Sequence, residues 1–182
     1  MLELKNTTLV CIDCKHPRSA LAAIERTESK CRFAARLFIS TGPIKSRYAY
    51  SRYIITTLPL LVKTDFVLII QADGWLVNPL AWTEDFFNYD FIGAPWANGL
   101  VGNGGFSLRS RHCLNTAKTL IQNGFHCEDL TICKRRREEM IGAGVCFAPV
   151  SLAEKFSTES EYTGQFGFHG KHLIPSVLIW GV

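Results

Sequence analysis

Nothing in this chain stays apolar for the roughly 20 consecutive residues that a helix needs to cross a bilayer. The opening MLELKNTT also lacks the apolar stretch of a secretion signal. Together these lead us to expect a cytoplasmic protein, with peripheral attachment to a membrane left open. Charge of one sign is scarce too: the net charge is +4 over 182 residues. That mild excess suits a phosphate-bearing ligand and is too small to argue for nucleic acid by itself. The seven cysteines, an odd number scattered through apolar segments, read as reduced thiols rather than a disulfide framework. Cys11 and Cys14 form a CxxC, but no second CxxC completes a zinc site. A structural role is the simpler reading for them and for Cys127 and Cys133. No repeat, low-complexity tract or linker divides the chain, so one domain over residues 1–182 is expected.

What the chain does have is an alternation of periods. Leu9–Cys14 is a short apolar run that reads as a buried strand, and Pro17–Cys31 as a helix with proline at its start. Ala35–Ser40 reads as a second strand, followed by the breakers Thr41, Gly42 and Pro43. Ser46–Lys63 predicts a second helix, kinked near its end by Pro59. Asp65–Ile70 is the strongest strand, apolar almost throughout, as a strand covered on both faces should be. This order predicts an α/β fold with a single mixed, mostly parallel sheet and helices on both faces. Further along, Pro79–Phe87, Arg111–Asn123 and Glu128–Glu139 read as helices, and Phe91–Ala94, Gly105–Leu108 and Val145–Ala148 as short strands. The last third, rich in Gly, Ser and Thr, reads as ordered loops over a site.

Four places carry candidate chemistry. Gln71-Ala72-Asp73-Gly74 follows the strongest strand, where ligands of open α/β sheets gather, and Asp73 there is either an Mg²⁺ or Mn²⁺ ligand or a turn residue. Val101–Arg109 holds Gly102, Gly104 and Gly105 around Asn103. Its spacing is neither GxGxxG nor a P-loop, so its glycines signal positive φ, backbone pressed close to a ligand, or a plain turn. Glu128-Asp129 precedes an apolar-periodic stretch and offers either a general base or an acidic helix start. His169, between glycines in FGFHG, offers a ring nitrogen to a metal or phosphate, or sits in a surface loop. The run Lys134–Arg137 is followed directly by two glutamates and reads as a solvated helix face.

The order QADGW, YDFIGAPW, VGNGGFSLRS, ED, FSTES, FGFHG resembles the glycosyltransferase-like domain of unknown function 5672, from about Arg47 to Gly170. The resemblance implies the GT-A-like fold of nucleotide-diphospho-sugar transferases. It implies a metal-binding DxD-like motif, here with Gln71 in the first acidic position and only Asp73 as carboxylate, and a C-terminal metal-binding histidine at His169. Gly102–Gly105 would lie beside donor sugar and acceptor, with Asn103, Gly104 and Gly105 at the donor, and the nucleotide base would fall near Ile12–Lys15. Glu128 and Asp129 correspond to the acidic catalytic pair, the second usually the base.

The expected reaction is then metal-dependent, inverting transfer of a hexose from a nucleotide diphosphate sugar, UDP-linked by analogy, to an acceptor hydroxyl. Arg47 and Arg52 on the second helix could approach the phosphates or form surface ion pairs. The acceptor is a glycan or a modified DNA base, and Trp75, Trp82 and Trp96 could stack on it or belong to the core. Two alternatives stand beside this reading. One is a non-catalytic carbohydrate- or nucleotide-sugar-binding module, for which Gln71 argues. The other is a sugar nucleotidyltransferase, which would want a glycine-rich loop where Lys15-His16-Pro17-Arg18 stands.

Overall fold

A computed structural model describes residues 1–180 of the protein. β1 (Leu2–Ile12), α1 (Pro17–Glu28) and β2 (Cys31–Ile39) form the first crossover unit, and a helical segment then leads to β3 (Phe66–Ile70). β4 (Phe91–Gly93) and β5 (Phe106–Ser110) complete a five-stranded sheet of order β2-β1-β3-β5-β4. β1 pairs in parallel with β2 and β3, while β5 runs antiparallel to both β3 and β4. Four strands therefore point the same way and β5 alone is reversed, so the sheet is mixed and mostly parallel.

Alternation along the strands divides the core in two. Leu9, Cys11, Leu68 and Ile70 join the larger cluster, under Ala20, Ala23 and Ile24 of α1. Val10, Ile12, Val67 and Ile69 face the other way, onto Ile54, Leu58, Val62 and Leu114. Helices thus cover both faces, which is why β3 reads as continuously apolar. Burial pushes the Cys11 thiol up to about 12, in keeping with its place as a small core side chain. Among the described residues all seven cysteines are free.

Several boundaries differ from expectation. β1 begins at Leu2 rather than Leu9, because Leu2, Glu3 and Leu4 already pair with β2, with Leu4 turned inward while Glu3 and Lys5 stay exposed. β2 likewise begins at Cys31. The second helix is split into α2 (Arg47–Arg52), a π turn (Tyr53–Thr57) and α3 (Leu58–Leu61). The Leu58 amide reaches back to the Tyr53 carbonyl, so the ladder widens just before Pro59, which has no amide hydrogen to give. The expected helix at Pro79–Phe87 is instead two 3₁₀ turns, Pro79–Ala81 and Glu84–Asn88.

α4 (Arg111–Leu120) is capped by the Ser110 hydroxyl, which accepts from the Cys113 amide. The expected helix from Glu128 is α5 (Glu128–Leu130), a π turn (Thr131–Arg135) and α6 (Arg137–Gly142). Val145–Ala148 is no strand; it makes one isolated bridge, Phe147 with Phe91. The loops expected near the end contain α7 (Val150–Phe156), the short pair β6 (Ser157–Thr158) and β7 (Gly167–Phe168), and α8 (Ile174–Trp180). Among the described residues no helix is long and apolar enough to cross a membrane.

One buried ion pair ties α5 to the sheet. Arg109, on β5, is fully buried, and its Nη2 donates to Glu128 Oε1 at 3.0 Å. Its guanidinium lies 4.9 Å from the Phe91 ring centroid, and Nε donates to Ser107 Oγ. Burial pushes the Glu128 carboxyl above its ordinary value, and Arg109 pulls against that rise. Removing one partner strands the other charge in a place water cannot reach. Glu128→Ala should therefore lower stability by about 3–5 kcal/mol, and adding Arg109→Met should restore most of the loss. Denaturant unfolding of both variants is the check; a single variant within about 1 kcal/mol of wild type would contradict this role.

Candidate active site

β1 and β3 end side by side, and their carboxyl ends open into a cleft of about 270 Å³. Asp13 closes the turn after β1 by accepting from the amides of Lys15 and His16 at 2.8 and 2.7 Å. Lys15, Lys45, Arg47 and Lys171 line the cleft, with Asp73 and Gln71 at its β3 side. Four cations around a mouth with two carboxylates make this a basic depression, suited to phosphate. Arg47 lines it and Arg52 does not. Five helical positions turn a side chain by about 140°, so the two arginines point apart.

After β3 the chain doubles back in a tight turn, with the Gly74 amide donating to the Gln71 carbonyl at 3.1 Å. A Cβ at Gly74 would press on the Phe168 carbonyl at 2.6 Å, so glycine lets the 167–170 segment lie against the turn. The Gly170 amide donates to the Asp73 carbonyl at 2.8 Å, and the His169 amide to the Thr158 carbonyl at 3.0 Å. Gly170 has φ 128°, a conformation that favours glycine. These bonds fix the His169 ring. Its Nε2 lies 3.4 Å from Asp73 Oδ1 and 3.2 Å from Gln71 Oε1, and its Nδ1 lies 3.0 Å from Glu159 Oε1. Burial opposes a charge on the imidazole, but Asp73 and Glu159 outweigh it and hold the ring's pKa up to about 9. The same contact with His169 holds Asp73 below the usual carboxylate range, against the opposing effect of burial.

The glycine segment serves this site differently from the expectation. Gly102, Gly104 and Gly105 do not have positive φ; Asn103 does, at 41°. Asn103 Oδ1 accepts from the amides of Gly105 and Phe106 at 3.0 and 3.4 Å, a local ring of bonds that makes the left-handed turn affordable for asparagine. Its Nδ2 lies 3.2 Å from His169 Nδ1. A Cβ on Gly105 would overlap the His169 ring, and one on Gly104 would overlap Glu128 Oε1. The glycines are small because protein, rather than ligand, already occupies the space beside them. Asp129 grips the same segment: Oδ2 accepts from the Gly104 amide at 3.0 Å, and Oδ1 from the Leu130 amide at 2.7 Å. Asp129 is half-buried, whereas Glu128 is enclosed with Arg109.

Asp73 Oδ1, Gln71 Oε1 and His169 Nε2 converge with 3.2–3.4 Å between the ring nitrogen and each oxygen. A carboxylate oxygen, an amide oxygen and an imidazole nitrogen are donors that a small divalent cation takes, and the cation would have to displace the proton from His169 Nε2 to use all three. Among the described residues no three His, Cys, Asp or Glu side chains gather as a metal cage; the third donor here is an amide. Of the tryptophans, Trp75 is core, edge-on to Phe168 and under Arg26. Trp82 packs among Phe86, Phe87 and Phe166. Trp96 lies on Gly102 and lines a second cleft. Sequence reasoning passed over Glu159, Lys45 and Lys171, since lone charges in polar loops carry no spacing that marks them.

Two outcomes follow. Gly105→Ala should displace His169 and lower stability by about 1–3 kcal/mol, the usual cost of overpacking; unchanged melting would contradict the contact. In chelator, the raised imidazole pKa stabilises the fold fully below about 6.5, the ordinary histidine value, and this contribution fades as pH rises through about 9. The melting difference between wild type and His169→Gln should be greatest near pH 6 and shrink toward pH 10. A difference constant with pH would contradict the paired imidazolium.

The fold is similar to that of a solved glycosyltransferase involved in glycosylating the major capsid protein of PBCV-1, with TM-score 0.57 and 14% identity over 90% of this chain and 91% of that one. It is also similar to the galactosyltransferase LgtC, solved with donor and acceptor sugar analogues, at TM-score 0.45 and 13% identity over 90% of this chain and 86% of that one. At 14% identity the first likeness speaks to fold alone, and the fold is the GT-A-like α/β arrangement. No protein of curated function matches the chain by sequence. Residues 33–173 match the family described as protein of unknown function (DUF5672), and the chain belongs to that family.

Proposed function

We propose that the protein is a glycosyltransferase, one domain over residues 1–182, that moves a hexose from a nucleoside diphosphate, uridine by family analogy, to an acceptor hydroxyl. The observation that carries this reading is the basic cleft at the carboxyl ends of β1 and β3, which runs from Lys15, Lys45, Arg47 and Lys171 to the converging Asp73, Gln71 and His169. A nucleoside in the cleft would place its diphosphate among those cations. Asp73 and His169, with Gln71, would hold Mn²⁺ or Mg²⁺, which when bound supplies positive charge against the diphosphate leaving group.

The chain's own residues do the rest. Lys and Arg side chains orient the diphosphate oxygens. The buried glycine segment, fixed by Asn103 and Asp129, lies behind the His169 ring and holds it at the cleft. In the reaction the bond from the anomeric carbon to the diphosphate breaks, and the leaving group takes the electron pair. The acceptor oxygen bonds to that carbon from the opposite face, which inverts it, and Asp129 takes the acceptor proton. Each carboxylate oxygen carries two lone pairs, so Asp129 keeps accepting capacity beside its bonds to Gly104, Leu130 and Cys127. Glu128, paired with Arg109, is a positioning residue.

The amide at Gln71 also supports a second reading, a binding module of the same fold without catalysis, because it leaves one carboxylate where a two-carboxylate motif would bind metal more tightly. Turnover separates the two. Asp129→Asn should keep donor binding and lower transfer by at least about a hundredfold; near wild-type transfer would remove Asp129 from the mechanism. Calorimetry of UDP with Mn²⁺ and with EDTA tests the cation site: binding should be tighter with Mn²⁺, and equal affinity would dismiss it.

A further inference from the structure

A second cleft, of about 570 Å³, opens on the Nδ1 side of His169. Glu159 joins the two depressions: it lines this cleft and bonds the ring whose Nε2 faces Asp73 and Gln71. The charge of the second cleft is opposite to that of the first. Glu154, Glu159 and Glu161 line it, and among the described residues no Lys, Arg or His does.

An acidic lining alone would be a solvated surface. Two further features indicate a ligand. Ser157 lines the cleft at 1% exposure, and its Oγ has no hydrogen-bond partner among the described residues. A buried hydroxyl without a partner is costly to keep, and a ligand hydroxyl or amine could supply the missing bond once Ser157 turns its Oγ toward the cleft. Trp96 forms part of the same lining, its indole seated against Gly102, where any Cβ would overlap the ring. An indole beside hydroxyls and carboxylates offers an apolar face for the C–H side of a sugar ring and acceptors for its hydroxyls.

The acceptors set the charge of the ligand. Ionised carboxylates accept hydrogen bonds and donate none. A sugar hydroxyl or ammonium donates to them, while a phosphate, sulfate or carboxylate would bring acceptor to acceptor and add like charge at short range. We infer that this cleft is the acceptor subsite and that its ligand is a carbohydrate without negative charge, neutral or amine-bearing, so that nucleic acid is repelled from it. The assignment to an acceptor rests on the transferase reading above; the ligand class rests on the cleft itself.

The test is a printed glycan array probed with the purified full chain, without donor, carrying neutral, amine-bearing, sialylated and sulfated glycans, beside a gel-shift assay with a single-stranded DNA oligonucleotide. Neutral or amine-bearing glycans should bind at least tenfold more tightly than sialylated or sulfated versions of the same core, and DNA should not shift. Trp96→Ala should weaken that binding at least tenfold with its fold checked by melting. The exposed pair Glu154→Lys and Glu161→Lys should move the preference toward sulfated glycans. Preference for anionic glycans, a DNA shift, or no bound glycan would overturn the inference. UDP-hexose consumption is followed in parallel. Neutral-glycan binding with no donor turnover keeps the ligand class and defeats the transferase reading. Donor turnover onto an anionic acceptor keeps the transferase reading and overturns the ligand class.

Discussion

An imidazole held between two carboxylates joins the end of the central strand to the last third of the chain. His169 reaches Asp73 through one ring nitrogen and Glu159 through the other. The clamp adds to directed backbone bonds that hold the same segment: the Gly170 amide donates to the Asp73 carbonyl, and the Val77 and Asn78 amides donate to the Phe166 carbonyl. The approach is close enough that Gly74 and Gly105 have no room for a side chain. The clamp also divides the surface: basic groups gather on the Asp73 side and acidic ones on the Glu159 side. A single ring thus becomes the wall between a depression suited to phosphate and one suited to hydroxyls.

Behind that wall the buried Arg109–Glu128 pair plays a different part. Both groups are out of contact with water, so their mutual attraction largely offsets the loss of hydration and adds little net stability. What the pair contributes is position. It seats α5 against β5, so that the next residue, Asp129, meets the Gly104 amide. The two adjacent acids therefore divide the work by burial: Glu128 faces inward to an arginine, and Asp129 remains half-open beside the glycine segment.

Much of this was legible in sequence, for identifiable reasons. Phe66–Ile70 announces itself because both of its faces are covered, and Asp73 follows from where that strand ends. Gly104 and Gly105 stand out as glycines, but their reason did not: backbone freedom and close packing leave the same mark in one sequence, and here packing decides while Asn103 takes the left-handed turn. The π turns at Tyr53–Thr57 and Thr131–Arg135 keep a helical period, so they read as plain helix. α7 was hidden among glycines and serines, although Pro149 marks its start. Glu159, Lys45 and Lys171 acquire meaning only once folding brings them to a cleft edge.

The central claim is that a nucleoside diphosphate occupies the cleft beside the His169 clamp. Nitrogen-resolved NMR of the amides and of the histidine rings during titration with UDP and Mg²⁺ addresses it most directly. The account predicts that the largest shifts fall on Asp13, Lys15, Arg47 and Asp73 and on the ring nitrogens of His169. Saturable UDP binding that leaves those signals in place and moves others would contradict it.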